Sequence, residues 1–157
     1  MKKLLVAVIC SMGFVAAANA ATEAELTAPI HQFIDSFNKG DMVAAEATHA
    51  SSVVIIDEPA PHLWQGPGAF KAWGNDLAAH DKIVGWTDQV MTLGKVIRTE
   101  SNADRGYVVI EAVYAFKQGG VAMNEDPSFM TYALQKGATG WKIVGWTWSG
   151  ATPHKAK

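Results

Sequence analysis

The chain has 157 residues, is 49% hydrophobic, and carries 13 Lys and Arg against 15 Asp and Glu, a formal net charge of −2. With no basic cluster anywhere, that balance argues against a nucleic-acid partner. The single cysteine, Cys10, rules out a disulfide within the chain.

Residues Met1 to Ala20 read as a cleavable leader. Lys2 and Lys3 form a positive start, Leu4 to Ala18 is almost wholly apolar, and Ala18-Asn19-Ala20 is an A-x-A cleavage signal. The expected destination is the periplasm or the outside, and a retained anchor is the alternative. Ile9 stands before Cys10 where lipoprotein processing wants a small residue. Cleavage leaves 137 of the 157 residues, and with Lys2 and Lys3 gone 11 basic residues face 15 acidic ones, a net of −4. That length suits one domain, residues 21–150, with a sizeable core. The segment 151–157 reads as a flexible tail, and no later stretch is long enough to cross a membrane. Six tryptophans in so short a chain point to a lined cavity or an interface.

Thr22-Glu23-Ala24-Glu25 is a capping box. Leu26, Ile30, Phe33, Ile34 and Phe37 follow at spacings of three and four, predicting an amphipathic helix that Gly40 ends. Asp41 caps a short second helix to about Thr48, and Val53 to Ile56 is a short β-branched strand. The strand runs into two adjacent carboxylates, Asp57 and Glu58, and then a Pro-rich loop carrying His62 and Trp64. Pro67 suits the first turn of a third helix, with Phe70, Trp73 and Leu77 as its buried stripe.

After His80 the pattern changes to strands: Trp86 to Thr99, Tyr107 to Lys117, Phe129 to Gln135 and Trp141 to Ser149. Turn residues join them at Asn102-Ala103-Asp104, Gly119-Gly120 and Gly137 with Gly140. Helices first and a strand meander after is an α+β arrangement, with three N-terminal helices on one face of a curved antiparallel sheet. Val108, Ile110, Ala112, Tyr114 and Phe116 carry no charge and are assigned to the helices and a pocket. Tyr107, Val109, Glu111, Val113 and Ala115 face the other way and are too apolar for open water, which makes that face a candidate homodimer surface.

Phe37-Asn38-Lys39-Gly40-Asp41, Val54-Ile55-Ile56-Asp57-Glu58-Pro59, Trp64-Gln65-Gly66-Pro67-Gly68-Ala69-Phe70 and Gly140-Trp141-Lys142-Ile143-Val144-Gly145-Trp146 together resemble the nuclear transport factor 2-like superfamily. Within it the chain looks most like SnoaL-like and ketosteroid-isomerase-like bacterial domains. The resemblance spans residues 21–150 and implies a cone-shaped, cystatin-like fold. That fold hosts isomerases, cyclases, dehydratases, epoxide hydrolases and plain binding modules. Ketosteroid isomerases place a general-base Asp at the end of the first strand, just before a Pro. Counting back from Gly66 selects Asp57, whereas aligning on Pro59 selects Glu58. Their oxyanion donors, a Tyr on the first helix and a protonated Asp on a later strand, correspond here to Phe33 and about Thr131. Neither residue supplies that pair of donors.

The resulting expectation is an exported pocket protein for an apolar small molecule. It would act as a cofactor-free isomerase, cyclase or dehydratase by proton transfer, with Asp57 as base and His62 and Tyr114 assisting. Trp64, Trp73, Thr131 and Trp146 are the candidate ligand-binding residues. The bland readings are a solvated strand-end Asp57, an unpartnered loop His62, and a Tyr114 and tryptophans that simply fill the core. The competing function is a non-catalytic periplasmic ligand-binding or dimerisation module. No H-x-x-x-H metal spacing, no G-x-S-x-G and no complete nucleotide fingerprint occurs, so no metal and no cofactor is expected.

Overall fold

The computed structural model describes residues 20–157. The expected leader, but for Ala20, lies outside the described residues. The first helix, α1 (Glu23–Asn38), starts on the capping box. Glu25 donates its backbone N–H to the Thr22 hydroxyl at 3.2 Å, and the Thr22 N–H reaches back to the Glu25 carboxylate at 2.8 Å. Gly40, at φ +71°, ends the turn after it, and Asp41 caps α2 (Met42–Ala47) through the Ala44 N–H at 3.0 Å. Strand β1 (His49–Ile56) and strand β2 (Leu63–Pro67) form a hairpin. Helix α3 (Ala69–Val84) and strands β3 (Trp86–Ser101), β4 (Arg105–Gln118), β5 (Val121–Gly137), β6 (Gly140–Ser149) and β7 (His154–Lys155) complete the described chain. No described helix is long and apolar enough to cross a membrane.

The sheet runs in the order β2-β1-β6-β5-β4-β3, and β7 adds to β5. The α+β cone is as read from the sequence, but the sheet is mixed rather than antiparallel throughout. β6 returns between β5 and β1 and pairs with β1 in parallel, Ile55 beside Trp146. A parallel pair needs a long crossover, and here everything from β2 to β5 supplies it. Three further differences are local. The Pro-rich loop holds strand β2, because an edge strand tolerates Pro67, paired with Ser52. Since Pro67 is still in that ladder, α3 starts two residues later, on Gly68 at φ +79°, and it runs past His80 to Gly85 at φ +72°. The segment after Gly150 is not loose: β7 pairs with Met123 and Asn124 of β5, and the Ala156 N–H bonds the Ala122 carbonyl at 3.0 Å.

Leu26, Ile30 and Phe33 of α1, with Phe70 and Trp73 of α3, pack onto Ile110, Tyr132 and Ile143 of the sheet, all almost fully buried. Along β4 the alternation is as expected: Val108, Ile110, Ala112, Tyr114 and Phe116 are buried, and Val109, Glu111, Val113 and Ala115 are half-buried on the outer face. Register shifts in the β3–β4, β4–β5 and β5–β6 ladders bend the sheet around the helices.

Candidate functional site

Where β1 leaves the core, the chain closes a turn, with the Asp57 N–H on the His62 carbonyl at 3.2 Å. Strand alternation therefore stops at Ile56, and both carboxylates that follow, Asp57 and Glu58, reach the pocket between the helices and the sheet. Glu58 borders the pocket yet stays exposed, whereas Asp57 is half-buried. The pocket holds about 520 Å³ of empty space, counting its open mouth. Its walls are mainly aromatic. Trp73 meets Trp146 edge-on with ring centres 5.0 Å apart, and Trp86 stacks on Phe116 at 3.9 Å.

Asp57 is held by two donors. The Trp73 indole N–H reaches one carboxylate oxygen at 2.7 Å and the Glu58 backbone N–H reaches the other at 2.7 Å. Burial nevertheless raises its pKa above the usual Asp range, because desolvation outweighs both donors. Glu58 is raised too, first by burial and then by the neighbouring Asp57 charge. Tyr114, from the inward face of β4, lines the same space. Its hydroxyl is buried with no hydrogen-bond partner among the described residues, and burial pushes its pKa far upward, so it remains a donor at neutral pH.

A third carboxylate belongs to Glu125, which is fully buried in the pocket wall. One of its oxygens accepts the Trp148 indole N–H at 3.1 Å, while the other has no partner among the described residues. Burial, and then the Glu58 charge, push its pKa up to about 7. Its inward aim comes from a register shift. Ala112 pairs with Ser128, but Tyr114 pairs with Glu125, so one extra residue sits in β5 beside Pro127. A bulge reverses the face of every residue beyond it. Ser128, Met130 and Tyr132 are buried by ordinary alternation, and Glu125 is buried because of the bulge.

Of the residues singled out in the sequence, Asp57, Tyr114, Trp73 and Trp146 come together at the pocket. His62 does not. It sits exposed at φ +72° in the turn, its N–H on the Pro59 carbonyl at 2.8 Å. Trp64, on the buried face of β2, donates to Asp76 of α3 at 2.8 Å, so it ties strand to helix instead of lining the pocket. Thr131 pairs with Val109 and Thr147 on the outer face, since Met130 and Tyr132 take the inward positions. His80 and Glu125 line the pocket without having been singled out for it, and the tryptophans Trp86 and Trp148 line it with them. The one sequence signal for Glu125 was Pro127 within a strand-like stretch, which marks a bulge. Trp146 is fixed from behind. Its indole N–H bonds the Nε2 of buried His49 at 3.2 Å, and Nδ1 of His49 lies 3.0 Å from the Ala45 carbonyl. Those partners require a neutral ring, and burial lowers its pKa to about 4. No three His, Cys, Asp or Glu side chains among the described residues converge as metal ligands would.

The family model described as a SnoaL-like domain matches residues 26–153. The chain belongs to that family. Among solved structures it is similar to a ketosteroid isomerase-like protein from Erwinia carotovora atroseptica, at 21% identity and TM-score 0.59, covering 83% of this chain and 96% of that one. It is also similar to a putative aromatic ring hydroxylase from Novosphingobium aromaticivorans, at 10% identity and TM-score 0.68, covering 84% and 91%. A nuclear transport factor 2-like superfamily protein from Salmonella enterica serovar Typhimurium matches at 14% identity and TM-score 0.66, covering 82% and 89%. At such identities the likeness is one of fold. No curated protein matches the chain.

Proposed function

We propose that this SnoaL-like domain is an exported protein that transfers a proton on a small apolar molecule without a cofactor, with Asp57 as the base. The observation that carries the reading is the state of Asp57. Its carboxylate stands in an aromatic pocket, desolvated enough to raise its pKa, yet oriented by the Trp73 indole at 2.7 Å. A base of that kind binds a proton more tightly than a solvated Asp and is held in one orientation. Tyr114 supplies the complementary donor. Its hydroxyl, protonated and without a protein partner among the described residues, suits an oxygen on which negative charge develops. Export is supported by Lys2-Lys3, the apolar run and Ala18-Asn19-Ala20. Pairing with a second copy is supported by the apolar outer face of the sheet, where Val90, Tyr107 and Phe129 are exposed.

The test is proton exchange. The protein is incubated in D₂O with a series of apolar ketones, and deuterium at the carbon next to the carbonyl is followed by NMR. Exchange above buffer that Asp57→Asn abolishes supports the reading. Ketones that bind but exchange no faster than in buffer overturn it in favour of the second reading, a binding module without catalysis. One observation favours that second reading. By the resemblance, Phe33 and about Thr131 correspond to the positions where ketosteroid isomerases carry their donors, and Thr131 faces away from the pocket.

A further inference from the structure

We infer that the pocket selects ligands bearing a cationic amine, held by Glu58 and Glu125, with the apolar body of the ligand against the tryptophans. Two carboxylates converge at one end of the pocket. Glu125 is 0% exposed and spends one oxygen on the Trp148 indole N–H at 3.1 Å. Glu58 approaches the same indole, and a methyl group placed on Gly150 would meet Glu58, Trp148 and Glu125 together. The indole N–H is spent on Glu125, and the second oxygen of Glu125 is buried with no partner among the described residues. Buried acceptors in folded proteins are almost always satisfied, so an unfilled one on a side chain that lines a pocket marks the place of a ligand donor. No Lys or Arg among the described residues lines this space to offset the charge.

An alkylammonium fits what is missing. It carries three N–H donors and no acceptor, and its positive charge would meet the buried Glu125 on one side and the more exposed Glu58 on the other. Aromatic faces add cation–π attraction, and Tyr114 and Trp148 stand edge-to-face here with centres 6.2 Å apart. A divalent metal is a poorer fit, because no three acidic, His or Cys side chains among the described residues converge. An anion would face three carboxylates, Asp57, Glu58 and Glu125. The inference rests on this pocket being the small-molecule site, and it is independent of whether Asp57 moves a proton.

The test compares matched probes by calorimetry and tryptophan fluorescence on the mature protein. The probes are 2-phenylethylamine and cyclohexylmethylamine, the alcohols of the same carbon frames, and 3-phenylpropionate. The amines should bind at least tenfold more tightly than their alcohols, and the carboxylate more weakly than either. Glu125→Gln and, separately, Glu58→Gln should each collapse the amine-to-alcohol ratio toward one, chiefly by weakening the amines. Alcohols that bind as tightly as amines would overturn the amine assignment alone. If no probe binds, both that assignment and the pocket reading beneath it fall.

Discussion

Glu125 and Trp148 are joined across the β5–β6 edge of the pocket by a 3.1 Å hydrogen bond from the indole N–H to the carboxylate. It is the single protein hydrogen bond recorded for the Glu125 side chain among the described residues, and it leaves one oxygen bare. The pair therefore makes the acid end of the pocket a place where charge is tolerated rather than stabilised. The pKa near 7 follows from burial and from the Glu58 charge together.

That position has a sign. The folded state raises the Glu125 pKa from 4.5 to about 7 and so holds its proton more tightly than the unfolded chain does. Its contribution to stability is complete below the unfolded value and is lost as pH rises through 7. Glu125→Gln, which keeps an acceptor for Trp148 without the charge, should gain melting temperature relative to wild type between pH 5 and pH 8. Thermal unfolding of both proteins across that range checks it, and parallel curves would refute it.

His49 titrates with the opposite sign. Its folded pKa is lowered from 6.5 to about 4, so the unfolded chain takes up its proton first. The stability tied to neutral His49 is intact above pH 6.5 and declines as pH falls toward 4, by about 3 kcal/mol in all. Because the pocket acids work against this trend, the difference between wild type and His49→Gln isolates it. Urea unfolding at pH 7 and at pH 4.5 should find most of the wild-type advantage gone at the lower pH.

Trp73→Phe keeps a ring in the pocket wall and removes the donor to Asp57. With desolvation then less opposed, the Asp57 titration should move upward, and NMR of the carboxyl carbon reads it directly. The lost bond to a charged acceptor should also cost about 1.5–3 kcal/mol at neutral pH. A free-Asp midpoint in the wild type would remove the tuned base altogether.

Gly150 has no room for a side chain, since a Cβ there would strike Glu58, Trp148 and Glu125. Gly150→Ala should cost about 1–3 kcal/mol through overpacking. It should also disturb Trp148 fluorescence, whereas Gly137→Ala, where a Cβ meets nothing closer than 3.9 Å, leaves that signal unchanged.

On the outer face of the sheet, Val90, Tyr107 and Phe129 are exposed and Val109 and Val113 are half-buried. Sedimentation should find two chains together, and Phe129→Glu should shift the protein toward one. A wild-type monomer at working concentration would dispose of the proposed pairing.

Much of this architecture was legible because it rests on local rules. The capping box at Thr22 and Glu25, the three-four spacing of α1 and the strict alternation of β4 each survive into the folded chain. Asp57 and Tyr114 were found the same way, from a strand end and an inward face. What stayed hidden depends on register. Thr131 and Glu125 lie on one strand at odd positions, yet the shift beside Pro127 places them on opposite faces. His62 looked available because its loop follows the acids, but the turn that brings Asp57 inward carries His62 out to solvent. The parallel β1–β6 pairing has no local signature, since its partners lie far apart in the chain.

That last pairing has a consequence for how the molecule comes to exist. β6 is the seam between the β1–β2 hairpin and the rest of the sheet, and His49 waits for Ile143. A nascent chain that has reached Gly137 can form the β3–β4–β5 meander but leaves one flank of β1 without its neighbour. Closure is thus deferred to the final stretch of synthesis, and any break before Gly140 should leave a protease-sensitive remnant rather than a smaller working domain.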